Sequence, residues 1–451
     1  MTDVARRPWL ISPRGETSLA YAELCRELVA PEVHLRPWCR PATVADAGRE
    51  IVRALVFSTE VTLFDADWSD RELRSLGYSP DQLGTVRTVR GLPRVEPADL
   101  AATVSAASSA RINLFTSGTA GRPTLVRHSL ASLARGVRIS AAHRDDVWAL
   151  AYNPTHVAGV QVFLQALANL NTVVDVTGLD RLAIQRAFRH HGVSHVSATP
   201  TFYRLLLPCV EPLTGVRSVA LGGEASGGPL HDELRRAFPA ATLRNIYAST
   251  EAGSLLVSQG ESFGIPPVMA DAILVRDGRL HLHRRLMAEF SGPWVDGDWY
   301  DTGDRVEIVE QDPVRFRFAG RERDSVNVGG EKINPHEVEA VLGEHSGVGQ
   351  VRVFGRKNSV MGQILCAEVV RATADSRLPT ADGKSDLPQT GARNAKASGE
   401  QTTDGGQLTE AALRAFAAER LPPYKIPRLI RFVDHLASTR TGKLSRTEDD
   451  R

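Results

Sequence analysis

The sequence predicts an α/β fold: a large N-terminal domain of parallel-rich sheets flanked by helices plus a small antiparallel sheet or barrel, then a small mobile C-terminal α+β domain. Three observations lead there. Strand-length apolar runs alternate with helix-length amphipathic segments as far as about residue 260, short alternating segments broken by glycine turns follow, and a separately patterned stretch closes the chain. At 451 residues the chain is too long for one compact core, so several structural units are expected.

Composition narrows the class. Hydrophobic residues make up 42% and charged residues 24%, the balance of a globular protein rather than a disordered or fibrous one. A formal net charge of +1 gives no field for a nucleic-acid backbone or an anionic lipid surface, so neither nucleic acid nor membrane is expected as a partner. Cys25, Cys39, Cys209 and Cys366 lack metal-ligand or disulfide-framework spacing, as where thiols stay reduced. Met1 to Gly15 lacks a signal-peptide apolar run, and no stretch reaches the roughly 18 apolar residues of a membrane span, which points to the cytoplasm.

Taken in order, Phe57 to Asp65 reads as a strand ending in a polar turn. Thr172 to Val176 and Val193 to Ser197 read as buried strands, with Leu179 to His191 a helix between them whose Leu182, Ile184 and Phe188 are expected on one face. His190 and His191 end that helix, where a cation favours the dipole. Val216 to Leu221 is a strand running into Gly222 and Gly223, followed by a helix from Leu230 to Phe238. From Ala272 to Val309 the alternation, as in Arg279 to His283, predicts the antiparallel part. His281 and His283 share a face there, but no third ligand has sensible spacing, so they are read as structural. Gln363 to Val370 is strand-like and Thr409 to Arg420 helical. Between them 372–407 is rich in Gly, Ser, Thr, Asp, Lys and Pro and reads as a disordered insertion inside the C-terminal domain. The expected boundaries are 1–320 and 321–451.

Chemistry concentrates in a few segments. Leu114 to Pro123 is a strand-like approach into a turn carrying Thr116, Ser117, Gly118, Thr119 and Gly121. Glycines let a backbone wrap several N–H groups around one phosphate, and hydroxyls add donors. The turn lacks the Gly-Lys-Ser/Thr ending of a Walker loop, and on composition alone it reads equally as a solvent-exposed turn. Asn245 to Glu251 places an aromatic ring, hydroxyls and a carboxylate at one turn, suited to a purine face and a Mg²⁺ ligand. Trp299 to Asp304 offers carboxylates at a tight turn, where one can accept from a ribose diol. Phe318 to Asp324, Val328 to Pro335 and Thr439 to Arg446 complete the set.

In this order these segments resemble the acyl-adenylate-forming superfamily: acyl- and aryl-CoA ligases, nonribosomal-peptide adenylation domains and luciferases. The similarity runs from about Leu114 to Arg446. The resemblance implies that Thr116, Ser117, Gly118, Thr119 and Gly121 bind ATP phosphates, and that Tyr247, Ala248 and Ser249 meet the adenine. It implies Thr250 near the α-phosphate and Glu251 as the metal ligand. Asp304 and Arg321 are implied at the ribose, with Arg321 at the start of the C-terminal domain. Gly222, Gly223 and Glu224 are implied to line both adenine and acyl pocket, and His156, Val157 and Gly159 the acyl pocket, with His156 as a gate. Lys443 is implied to swing in for adenylation, where a long flexible cation offsets charge on the α-phosphate. The domain then rotates about Arg323 and presents Gly329, Gly330 and Lys332 to the thiol.

The implied activity is ATP- and Mg²⁺-dependent activation of a small-molecule carboxylic acid as its acyl-AMP, followed by transfer to coenzyme A. Alternatives are transfer to the phosphopantetheine of an acyl carrier protein, reaction with an amine, or a non-catalytic nucleotide-binding relative. No aspartate of the kind that holds an amino acid's α-amino group is evident, which favours an aryl or acyl acid. Some positions depart from the pattern. Thr124 stands where a lysine usually follows the phosphate-loop proline, leaving Arg122 or Arg127 as nearby cations, and Ala248 replaces a common glycine. Only about 110 residues precede the phosphate loop, so a trimmed first sheet is expected, with an open surface for a carrier protein or a second subunit in a homodimer.

Overall fold

The computed structural model of the chain describes residues 4–79, 86–105, 109–116, 123–224, 226–292, 294–321, 326–328, 331–358, 362–372 and 408–436. It divides into two compact units, residues 1–325 and 326–436.

The first unit is built on an eight-stranded sheet in the order Gly253–Ser258, Thr242–Ser249, Ser218–Gly222, His195–Ala198, Val147–Leu150, Thr172–Asp175, Pro8–Ser12, Thr17–Ala20. Its six inner strands pair in parallel and its two outer pairs are antiparallel. Helices cover both faces, so the inner strands are buried twice and read as continuous apolar runs. Period-two alternation divides neighbours between two cores. Leu150 and Val173 join a core with Trp9, Ile51 and Phe163, whereas Ala149 and Val174 join one with Phe188, Tyr203 and Phe238.

From Val147–Leu150 the chain crosses by the helix Val157–Ala168 to Thr172–Asp175 on one side, then returns to lay His195–Ala198 on the other. The strand order therefore reverses beside Val147–Leu150, and a crevice opens at the carboxyl ends of strands around such a point. The helix Val157–Ala168 is apolar on nearly every face, with eight of its residues buried. Arg181–His190, started by Asp180 accepting from the Ala183 amide at 2.8 Å, buries Ile184 and Phe188. Leu182, expected on the same face, is 44% exposed, because an i to i+2 step turns about 200° around a helix.

A second sheet runs Glu289–Phe290, Leu125–Ser129, Arg111–Phe115, Glu60–Leu63, Trp38–Cys39. Its hairpin Arg111–Phe115/Leu125–Ser129 brackets the glycine- and hydroxyl-rich turn. The third sheet is antiparallel, as the alternation after Ala272 predicts: Ser262–Gly264, Val314–Arg321, Trp299–Gln311, Arg279–His283, Ile273–Arg276, with Trp294–Val295 beside Trp299–Gln311.

The second unit is an α+β body. Strands Glu331–Ile333, Val326–Val328, Gly362–Arg371 and Val348–Asn358 carry Leu429–Phe432 in parallel beside Gly362–Arg371, with helices Pro335–Gly343 and Glu410–Ala418. Val338, Leu342, Val353, Leu365, Leu413 and Ala417 form its core. The insertion at 372–407 leaves from Gly362–Arg371 and returns to Glu410–Ala418, both within this unit; residues 373–407 lie outside the described set. No helix among the described residues is long and apolar enough to cross a membrane.

Gly48, inside the helix Val44–Val56, sits where an added Cβ would be 2.8 Å from Trp9 Cζ3 and 3.1 Å from Phe163. Both rings are packed edge to face in the core. Gly48→Val should therefore lower unfolding stability by about 1–3 kcal/mol, read as a drop in the thermal midpoint; an unchanged midpoint would mean that the rings yield freely.

Candidate active site

The carboxyl ends of the parallel strands set the floor of the site. Thr242–Ser249 carries Tyr247, Ala248 and Ser249 within the strand itself, and Thr250, Glu251 and Ala252 form the hairpin turn into Gly253–Ser258. The segment expected as a single turn is thus mostly strand, because its backbone stays paired with the antiparallel strand Gly253–Ser258 as far as Ser249. Gly253 takes φ +70°, the left-handed region that glycine reaches without strain.

Tyr247 is buried and donates its hydroxyl to Asp304 Oδ2 at 2.7 Å. Phe318 stacks on one face of its ring, 4.6 Å between centroids and 24° between planes. Arg321 Nε donates to Asp304 Oδ1 at 2.6 Å, and the two residues are direct partners across strands Trp299–Gln311 and Val314–Arg321. Asp304, expected at a tight turn, stands within a 13-residue strand. The turn chemistry survives as local bonds: Asp301 Oδ1 accepts from the Gly303 amide at 2.8 Å and Thr302 Oγ1 from the Asp304 amide at 3.1 Å, with Gly303 at φ +72°. Arg321 closes the last strand of the first unit rather than opening the second. Burial, and then the Asp304 charge, push the Tyr247 phenol far above its ordinary range, so it remains a donor.

An ionised carboxylate has about four acceptor positions. Tyr247 and Arg321 use one on each oxygen, which leaves Asp304 able to accept from a diol. Glu251 differs: among the described residues no side chain holds its carboxylate, and its backbone carbonyl accepts from the Ala288 amide at 2.7 Å. A hard, uncommitted oxygen ligand beside Thr250 fits Mg²⁺.

The glycine turn is closed at its base. The Thr116 amide donates to the Thr124 carbonyl at 3.0 Å, and the Thr124 amide to Thr116 Oγ1 at 3.1 Å. Ser117, Gly118, Thr119, Gly121 and Arg122 lie outside the described residues. Arg127, a candidate substitute for the missing lysine, forks onto both Glu60 oxygens at 2.9 and 2.8 Å and is committed there.

Of the residues expected around the acid, His156 precedes the helix Val157–Ala168, and its Nε2 lies 2.9 Å from Asp65 Oδ2. Thr155 donates its hydroxyl to the other Asp65 oxygen, and the Thr155 amide donates to Asn153 Oδ1 at 3.0 Å. Asp65 was not singled out in the sequence; the polar end of its strand was the only signal. Both its oxygens are taken within the chain, so it is not poised to hold an ammonium group. Val157 is buried, and what Gly159 makes room for is Asn153, whose carbonyl would lie 2.2 Å from an added Cβ. Gly222 is likewise hemmed in, with the Tyr152 hydroxyl 3.3 Å from a built Cβ, and Gly223 takes φ +84°. Glu224 turns its carboxylate to the start of the helix Pro200–Leu206, accepting from the Thr201 amide at 3.0 Å and from its hydroxyl. Lys443, Arg323, Gly329 and Gly330 lie outside the described residues, as does the side chain of Lys332.

His281 is buried and His283 caps a short turn by accepting from the Arg285 amide at 3.3 Å, in keeping with structural roles. A different group, His143, Asp146 and His195, brings ligand-type atoms within 4.8 Å of one another at the amino ends of the central strands of the large sheet.

Burial pushes the Asp65 carboxyl up, but the hydrogen bond and charge of His156, with Thr155, bring it below the ordinary range. A carboxyl so held stabilises the fold fully above its unfolded pKa of about 3.9 and loses that contribution as pH falls further, through its lowered folded pKa. Asp65→Asn should cost about 1–3 kcal/mol near neutrality. The gap to wild type should begin to narrow at about pH 4 and close below it in a series of urea midpoints; a gap independent of pH would remove the ion pair from this account.

Residues 45–277 match the AMP-binding enzyme family, and residues 337–443 match the AMP-binding enzyme C-terminal domain. The 2-succinylbenzoate–CoA ligase of Geobacillus kaustophilus (strain HTA426) is 24% identical over 440 residues, covering 88% of this chain and 82% of the relative. That of Listeria monocytogenes serotype 4b (strain F2365) is 26% identical over 361 residues, covering 74% and 68%. Among solved structures, o-succinylbenzoate CoA synthetase from Bacillus subtilis, in complex with its acyl-adenylate intermediate, superposes with a TM-score of 0.64 at 18% identity, covering 98% of this chain and 95% of that one. An anthranilate CoA ligase in complex with anthranoyl-AMP gives a TM-score of 0.67 at 16% identity, covering 98% and 93%. At such identities the structural likeness establishes the fold.

Proposed function

From the premise that the chain belongs to the AMP-binding enzyme family, we propose that it is an acid–thiol ligase that activates an aryl or acyl carboxylic acid with ATP and passes the acyl group to coenzyme A. A carboxylate oxygen attacks the α-phosphorus, the bond to the β-phosphate oxygen breaks, and pyrophosphate leaves with that electron pair. The coenzyme A sulfur then attacks the acyl carbon, AMP leaves, and the thiol proton is released. The observation that carries the reading is the Tyr247–Asp304–Arg321 network: a buried carboxylate aligned by two donors, with acceptor capacity left for a ribose.

Within this reading Glu251 would hold Mg²⁺, which would supply positive charge against the phosphates, and Thr250 would meet the α-phosphate. The 116–123 turn cradles the remaining phosphates, and Lys443 supplies the cation for adenylation. The C-terminal domain that follows Arg321 is then the moving lid, turning at Arg323 to bring 329–332 to the thiol. Gly222, Gly223, His156 and Val157 border the acid. The relatives' aromatic acids, 2-succinylbenzoate and anthranilate, support an aromatic acid as the first substrate to try. Such chemistry suits the cytoplasm, where ATP and coenzyme A are available.

Acid-dependent exchange of labelled pyrophosphate into ATP, across aryl and fatty acids, tests the first half-reaction. Exchange with at least one acid is expected, and silence with all would favour a non-catalytic nucleotide-binding protein. Lys443→Ala should lower exchange by about 100-fold or more while leaving thioester formation from supplied acyl-adenylate largely intact. Loss of both half-reactions would contradict a role confined to adenylation. Glu251→Gln should raise the Mg²⁺ concentration for half-maximal exchange by about 10-fold or more, and an unchanged Mg²⁺ titration would remove it as the ligand. Coenzyme A is the acceptor expected; faster release to a phosphopantetheinylated carrier protein would reassign it.

A further inference from the structure

The turn Thr250–Glu251–Ala252 is held through its three carbonyls, each by a different element. His128 Nε2 lies 2.7 Å from the Thr250 oxygen. The Glu251 oxygen takes the Ala288 amide at 2.7 Å. The Ala252 oxygen takes Arg135 at 2.9 Å, and the same guanidinium bonds the Leu286 carbonyl at 2.9 Å. Ala288 immediately precedes Glu289–Phe290, which pairs with the strand Leu125–Ser129 that bears His128.

His128 is fully buried, pointing to the same side as Val126 while Arg127 faces outward to Glu60. A carbonyl can only accept, so Nε2 must carry a proton, and Ser132 Oγ lies 3.1 Å from Nδ1. Burial foremost, opposed by the Thr250 bond and assisted by the Arg135 charge, lowers its pKa to about 4, so the ring is neutral at physiological pH with its single proton on Nε2. Four residues before His128 lies Thr124, which closes the base of the glycine turn with Thr116. One imidazole therefore bridges the strand leaving the glycine turn and the turn bearing Glu251.

We propose that His128 is a positioning residue for acyl-adenylate formation: its Nε2–H, bound to the Thr250 carbonyl, fixes the 250–252 turn relative to the strand Leu125–Ser129 and to the Thr116–Thr124 pair that precedes it, so that Thr250 and Glu251 are held in place for the nucleotide. The proposal rests on the functional reading above, and it assigns a role to a residue that touches no substrate. A misplacement of about 1 Å in such an arrangement costs on the order of 100-fold in rate.

The test compares His128→Leu, which removes the donor, with His128→Gln, whose carboxamide nitrogen can reach the same carbonyl. In the Leu variant, kcat for pyrophosphate exchange should fall by about 10–100-fold, with KM for the acid changed less than about threefold. Thioester formation from supplied acyl-adenylate should persist, and backbone amides of 249–253 should exchange with deuterium faster than in the wild type, while those of 213–222 keep their wild-type rates. The Gln variant should restore both rate and protection. Should the Leu variant not fold, His128→Asn, too short for the Thr250 carbonyl, takes its place. A folded donor-less variant with wild-type kcat, a Gln variant as slow as it, or a slow variant with unchanged amide exchange would each overturn the proposal. If the wild-type chain exchanges pyrophosphate with no acid, it is the functional reading that fails, and the amide-exchange comparison still decides the tether.

Discussion

The architecture of the site depends on a buried carboxylate. Asp304 is 4% exposed, and an isolated carboxylate in such a place is too costly to remain charged. Its two partners come from different sheets: Tyr247 from the large parallel-rich sheet and Arg321 from the strand beside its own. Satisfying the charge therefore fixes the antiparallel sheet against the edge of the large one. Phe318, stacked on Tyr247, adds the apolar half of the same joint. Moving either sheet separates donor from acceptor and leaves a buried charge unpaired, a larger penalty than the bond itself contributes.

The phosphate side is built on a different economy of charge. Where a lysine would follow Pro123 the chain has Thr124, whose amide and carbonyl close the loop base, and the adjacent Arg127 is held by both oxygens of Glu60. Glu60 is in turn held by Asn113 at 2.7 Å, which lowers its tendency to release the arginine. Under the proposed function, phosphate recognition would then rest more on hydroxyls and amides than on a point charge, and a metal held by Glu251 would gain importance. That balance makes the placement of the Glu251 turn matter, and its three carbonyls are tied accordingly.

Much of the fold was legible because periodicity reports burial directly. The doubly covered strands near 149, 174, 196 and 219 appear as unbroken apolar runs, and the change to alternation after Ala272 marks the one-sided antiparallel sheet. The ordered motifs similarly pointed to Tyr247, Asp304 and Arg321, which the fold brings into one network. What could not be read is which polar groups neutralise one another across long sequence distances. Asp65 and His156 are 91 residues apart, and His128 and Thr250 are 122 apart. No local pattern separates a histidine that bonds a distant carbonyl from one that gates a pocket. Leu182 failed for a simpler reason, since apolar residues two apart on a helix do not share a face.

The same long-range pairing explains why the His143–Asp146–His195 group needs no ion. Asp146 Oδ1 takes Arg217 at 2.6 Å and Oδ2 takes His143 Nδ1 at 2.8 Å, so both oxygens are occupied. His195 lies over Trp148, and burial foremost lowers its pKa to about 4. A divalent cation there would have to displace a guanidinium and tolerate it nearby, a repulsion that is poorly screened at a buried carboxylate. These residues flank the starts of strands 147–150, 195–198 and 218–222, the end of the sheet away from the nucleotide segments. Their arginine and histidine donors bind one internal acid, whereas at the carboxyl ends no side chain among the described residues holds the Glu251 carboxylate. That contrast in charge satisfaction, more than the count of polar residues at either end, is what separates a structural cluster from a site built to receive a ligand.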